Sequence, residues 1–155
     1  MTHTRIITRD EVQWMTGWQQ FAHDTFGTLA APPDADTDAD GLTDIFEYAL
    51  GSDPLTGADG NSITLLPNTG GGLKIQFPRA TGAFGLDMNV EASDDLTNWQ
   101  SIAAATDTAA WSTIQGVTLT QQDAPGAPST VIVTDSIPIG SVASRFLRLR
   151  IDAQP

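Results

Sequence analysis

Residues 36–47 read Asp36-Thr-Asp38-Ala-Asp40-Gly41-Leu42-Thr43-Asp44-Ile45-Phe46-Glu47, and no other stretch constrains the chain as tightly. Alternate carboxylates on a tightly turning loop converge on one point. Calcium, which takes six to eight oxygen ligands, matches such a convergence. Asp36, Asp38 and Asp40 are expected to supply side-chain oxygens and Leu42 its backbone carbonyl. Gly41 permits the sharp turn because it has no Cβ. Asp44 stands where contact is often made through water, and Glu47 is placed to close the sphere with both oxygens. Asp34 extends the alternation by one step, but only a start at Asp36 puts Gly41 and Glu47 at their required positions.

The spacing meets the fixed positions of an EF-hand loop. The alternative, a solvated Asp-rich linker, fits poorly with the apolar segment that follows. Thr43 to Leu50 reads as a short helix presenting Leu42, Ile45, Phe46, Ala49 and Leu50. Gly51 is the expected cap, and Pro54 forbids continuation. Ala31-Pro32-Pro33 breaks the chain ahead of the loop, so the motif is half an EF-hand at most.

The net charge of −12 is unevenly spread. Residues 1–60 hold eleven Asp and Glu against Arg5 and Arg9, and no basic residue lies between Asp34 and Asp59. Residues 61–155 hold eight acids against Lys74, Arg79, Arg145, Arg148 and Arg150. This balance argues against nucleic acid and against anionic membranes as partners. The absence of cysteine excludes disulfides, thiolate metal sites and a Cys nucleophile. No apolar run is long enough for a transmembrane helix. Residues 1–5 do not read as a signal peptide, so the chain is expected to be intracellular or, in the preferred reading, a mature piece of an exported protein.

Taken in order, residues 3–8 form a short β-prone arm of unassigned role. Thr8 and Glu11 form a capping box that predicts a helix over about residues 9 to 23, with Trp14, Trp18 and Phe21 on its core stripe. Gly17 within that helix is expected to cost about 1 kcal/mol relative to Ala. Residues 52–60 are turn chemistry, in which Asp53 and Asp59 serve the turns; ligation of calcium is the alternative role for both. From residue 61 the hydrophobic period becomes two. Leu73, Ile75 and Phe77 alternate with polar neighbours, as do Leu86, Met88, Val90 and Ala92. Val117 and Leu119, Val131 and Val133, and Leu147, Leu149 and Ile151 continue the pattern. Six or seven strands of this kind predict an antiparallel β-sandwich. The expected class is therefore α+β: a helical, calcium-binding front over 1–60 packed on a β-sandwich over 61–155.

The loop and its exit, DTDADGLTDIFEYALGSDP, resemble a single bacterial thrombospondin type 3 repeat. The matching positions are Asp36, Asp38, Asp40, Gly41, Asp44, Glu47 and the following Gly51-Ser52-Asp53-Pro54. The resemblance implies calcium at those carboxylates; it occurs once, where such repeats run in tandem. The whole chain is similar to a C-terminal module of large secreted verrucomicrobial and planctomycetal proteins. That likeness rests on the aromatic helix, GLTDIFEYALGSDP, VEASDDLTNW with Trp99, and the terminal SRFLRLRI. It implies an extracellular or cell-surface accessory domain whose partners are other domains of its parent protein or neighbouring subunits.

Other chemistry is set aside. His3 and His23 lack the spacing of a transition-metal site, and Gly70-Gly71-Gly72 precedes a strand, unlike a phosphate loop. Asp94-Asp95 reads as hairpin chemistry. No catalytic role is expected. Trp99 and Trp111 are expected to plug the sandwich core; exposed, they would instead make a carbohydrate-binding module with a glycan partner. A third reading is a calcium-dependent filament or surface-assembly subunit, a homo-oligomer in which the arm at residues 3–8 adds a strand to a neighbour.

Overall fold

A computed structural model describes residues 15–57, 63–66, 68 and 70–155. The arm at residues 3–8, the Thr8 capping box, Trp14 and Asp59 lie outside the described residues. Within them the chain is α+β, with two short helices and two antiparallel four-stranded sheets.

The first helix, α1, spans Gly17–Phe26. It does not run from about residue 9, as the Thr8 signal predicts, because Thr16 is extended (φ −68°, ψ 164°) and acts as the N-cap. The Thr16 hydroxyl accepts from the Gln19 amide at 3.2 Å, and the Gln19 side chain accepts from the Thr16 amide at 3.1 Å. This second capping box satisfies two amides that the first turn would otherwise leave unpaired. Gly17 is therefore the first helical residue, not an interior defect. A Cβ there would lie 1.8 Å from the Phe84 carbonyl oxygen, so only glycine permits the contact.

The second helix, α2, spans Asp44–Leu50 and stops at Gly51, whose φ of 88° suits glycine alone. It buries Ile45, Tyr48, Ala49 and Leu50. The Tyr48 hydroxyl donates to the Phe84 carbonyl (3.0 Å) and accepts from the Phe84 amide (2.9 Å). Phe21 of α1 stacks on Tyr48 with ring centroids 4.4 Å apart, and Trp18 meets the same ring edge-on at 6.2 Å. An aromatic cluster thus fastens α1 to α2, while the Ala49 carbonyl accepts from Ala80 at 2.9 Å and fastens α2 to the strands.

The strands are β1 (Thr64–Leu66), β2 (Gly72–Arg79), β3 (Leu86–Ser93), β4 (Gln100–Thr106), β5 (Ser112–Thr113), β6 (Thr118–Ala124), β7 (Ala127–Pro138) and β8 (Phe146–Ala153). One sheet has the order β1-β2-β7-β6, the other β5-β4-β3-β8. Register aligns the apolar positions: Ile75 faces Val133 and Phe77 faces Val131, while Met88 faces Ile151 and Val90 faces Leu149. Eight strands are present among the described residues where alternation predicted six or seven. The additional edge strands, β1 and β5, have three and two residues, too few to display a period. Residues of both sheets and both helices belong to one buried apolar cluster. Phe77 is completely buried in it, a setting where truncation to Ala costs about 3–5 kcal/mol.

Candidate metal centre

The acidic loop is built by its own amides. The Asp40 amide donates to Asp36 Oδ1 (3.2 Å) and to Asp38 Oδ1 (3.1 Å). The Gly41 amide donates to Asp36 Oδ2 at 3.1 Å, and the Leu42 amide to Asp40 Oδ1 at 2.8 Å. Ala39 at φ 62° and Gly41 at φ 100° supply the left-handed backbone that turns these amides inward. Gly41 was legible as the turning residue. Ala39 was not, because nothing in its side chain marks a left-handed position.

The outcome is convergence. One carboxylate oxygen from each of Asp36, Asp38 and Asp40 lies within 4.8 Å of the others. At such separations each like-charged pair repels by roughly 1 kcal/mol even in bulk water. These three residues together could hold a metal ion, and their donors are the hard oxygens that calcium and magnesium take.

Asp44 lies elsewhere. It is almost wholly buried, and its two oxygens accept from the Thr37 amide (2.9 Å) and the Thr37 hydroxyl (2.8 Å). It therefore braces the loop against the start of α2 and is not one of the three convergent acids. Its amide donates to Ala35 O at 2.7 Å and that of Ile45 to Pro33 O at 3.0 Å, so the loop entrance is tied to the helix twice more. Leu42 is half-buried. Glu47, on the first turn of α2, is fully buried. Asp53 accepts from the Leu55 amide (3.0 Å) and the Thr56 hydroxyl (3.3 Å), which is the turn-forming role its sequence context predicts. The segment after α2 then returns to the loop: a Cβ on Gly57 would lie 3.4 Å from Asp40 Cβ. That approach is absent from the twelve-residue pattern and depends on the turn at Pro54.

The two tryptophans expected in the core differ. Trp111 is half-buried and packs edge-on against Phe77, with centroids 5.8 Å apart. Trp99 is outside the core: Arg148 covers its ring at 4.0 Å, and its Nε1 donates to the Leu96 carbonyl at 3.1 Å. Arg148, on the outward-facing register of β8, gives Trp99 a charged partner at the surface. Asp95 beside it is a loop organiser, accepting from the amides of Thr97 (2.8 Å) and Asn98 (2.7 Å) and from the Asn98 side chain (2.7 Å). These bonds hold its carboxyl well below the usual carboxylate range.

Comparison of the chain with protein-family models, with curated proteins and with solved structures gave no significant match.

Proposed function

We propose that this chain is a non-enzymatic, calcium-binding accessory or structural domain of an exported bacterial protein, in which the ion stabilises the fold. The observation that carries this reading is the convergence of Asp36, Asp38 and Asp40 on a loop already closed by its own amides. Calcium there would offset the mutual repulsion of the three acids and join the loop to α2, whose Glu47 stands at the closing position of the pattern. The finer architecture in this proposal is a β-sandwich: the apolar faces of the two sheets enclose the common core, and α2, in contact with β2 and β8, carries the loop at its margin. The likeness of the loop to a thrombospondin type 3 repeat supports the same ion and an extracellular setting. Other domains of the parent protein, or neighbouring subunits, are the partners this reading implies.

Isothermal titration of chelator-stripped protein with calcium chloride tests it. One dominant site is expected, with a Kd between about 10⁻⁶ and 10⁻³ M. Asp36→Ala and Asp40→Ala should each remove most of the heat while far-UV circular dichroism is retained. Absence of calcium heat in the unaltered chain would sink the proposal.

A further inference from the structure

At the end of β2, Arg79 stands between two adjoining clefts that open to solvent. The larger, about 430 Å³, is walled by Arg79, Thr108, Ala110, Trp111, Leu119 and Gln121. The smaller, about 220 Å³, shares Arg79, Thr108 and Gln121 and continues to Asp123 and Ser129. The larger falls within the roughly 300–1,000 Å³ of small-molecule sites.

The polar wall is fixed in place. Arg79 Nη2 donates to the carbonyls of Asp107 (2.7 Å) and Ala109 (3.3 Å), and Nη1 donates to Gln121 Oε1 (3.4 Å). Gln121 Nε2 donates in turn to Asp123 Oδ1 (2.8 Å), which also accepts from the Ser129 hydroxyl (2.7 Å). Asp107, whose carbonyl anchors Arg79, is itself held: its amide donates to Leu86 O at 2.7 Å and its carboxylate accepts from the Gly85 amide at 2.8 Å.

Some hydrogen-bonding capacity is left over. Among the described residues Asp123 Oδ2 and the Thr108 hydroxyl engage no side-chain partner. The cleft therefore offers a fixed carboxylate oxygen, a hydroxyl, an amide and a guanidinium beside the apolar Trp111 and Leu119. Among the described residues that line it, Arg79 is the one cation and Asp123 offsets it, so neither an anion nor a cation finds an excess of opposite charge there. Neutral polyhydroxyl ligands match this mixture, since each sugar hydroxyl both donates and accepts while the C–H face of the ring packs on apolar surface.

We propose that the cleft between Trp111 and Asp123 binds neutral polysaccharide chains. The site is separate from the acidic loop and does not depend on the calcium reading. Arg79 lies over the Trp111 ring at 5.5 Å, and Arg148 lies closer over Trp99, at 4.0 Å, so Trp99 is not part of the site.

The test uses the full calcium-saturated chain and a panel of neutral hexasaccharides: β-1,4-glucan, β-1,3-glucan, xylan and mannan, with oligogalacturonate as the charged control. Titration calorimetry should find at least one neutral oligosaccharide bound at millimolar concentration or below. Asp123→Ala and Gln121→Ala, exposed positions on β6, should each weaken that binding by roughly tenfold or more. Trp99→Phe should leave it unchanged, and calcium heat should survive in all three variants. No neutral binding across the panel, binding of oligogalacturonate alone, or binding indifferent to Asp123→Ala and Gln121→Ala would each overturn the proposal.

Discussion

Two regions of the molecule gather carboxylates, and they neutralise them differently. Around the start of β8, arginines answer the acids. Arg145 forks onto Asp135 through Nε (2.6 Å) and Nη2 (3.1 Å) and reaches Asp94 through Nη1 (3.0 Å). The Asp135 side chain is completely buried, and its bonds to Arg145 raise the guanidinium's pKa. Arg148 meets Glu91 at 2.7 Å on the neighbouring strand. Around residues 34–47 the chain provides amides instead, and Asp36 and Asp40 have no Lys or Arg partner among the described residues. Folding itself supplies the counter-charge in the first region. In the second, among the described residues, the loop's own amides answer Asp36 and Asp40.

The largest effect that should separate the two belongs to the arginine clamp. Asp135→Ala removes one partner of a buried, bidentate pair and should destabilise the chain by about 3–5 kcal/mol. Urea unfolding should give the same loss in calcium and in chelator. A loss under about 1 kcal/mol would place the pair among ordinary surface bridges, and a calcium-dependent loss would erase the contrast between the regions.

Calcium itself comes next. If only the native chain binds, a hundredfold excess over Kd should add about 2.7 kcal/mol. In a chain of this size that raises Tm by roughly 5–10 °C. Asp36→Ala should abolish the rise. An unchanged melting curve in the presence of measured binding would show that the loop folds without consequence for the core.

The third effect is confined to acid. Asp95 has its pKa lowered by the amides and side chain it accepts from, so its contribution is fully present above the unfolded carboxylate value of about 3.9. It is lost as pH falls through the folded value. Asp95→Ala should therefore show a smaller fall in Tm than the unaltered chain between neutral and strongly acid pH, measured in chelator. Parallel falls would mean that the β3–β4 loop is held by other bonds.

The smallest effect concerns Arg148 over Trp99. The contact is at the surface, where such a cation–π pair contributes about 0.5–1 kcal/mol. Arg148→Ala also breaks the pair with Glu91, so it should cost at least that much, and it should alter tryptophan emission. An unaltered spectrum would show that the ring is not covered in solution.

Strand positions were the most legible part of the sequence. Ile75 and Phe77, Met88 and Val90, and Leu149 and Ile151 alternate strictly, and each faces the shared core in its strand. The start of α1 was the least legible. Thr16-x-x-Gln19 caps it, while the Thr8-x-x-Glu11 box lies outside the described residues. The convergence of Asp36, Asp38 and Asp40 was legible from their alternation. The turning of Asp44 onto Thr37 was not, because a carboxylate at that position can serve a water or a backbone amide equally well.

What the sequence by itself determined lies within about a dozen residues at a time. The register of the acidic loop, the stop at Gly51 and the inward faces of the strands follow from backbone φ, side-chain period and neighbouring charge, all of which are local. What only the tertiary structure decided joins distant positions. Gly17 is required because the Phe84 carbonyl approaches within what would be bonding distance of a Cβ. Tyr48 is anchored on a residue 36 positions away, and Arg145 reaches Asp94 across 51. Such contacts leave no periodic trace, since each requires two segments to meet, and only the packing of the core fixes where they do.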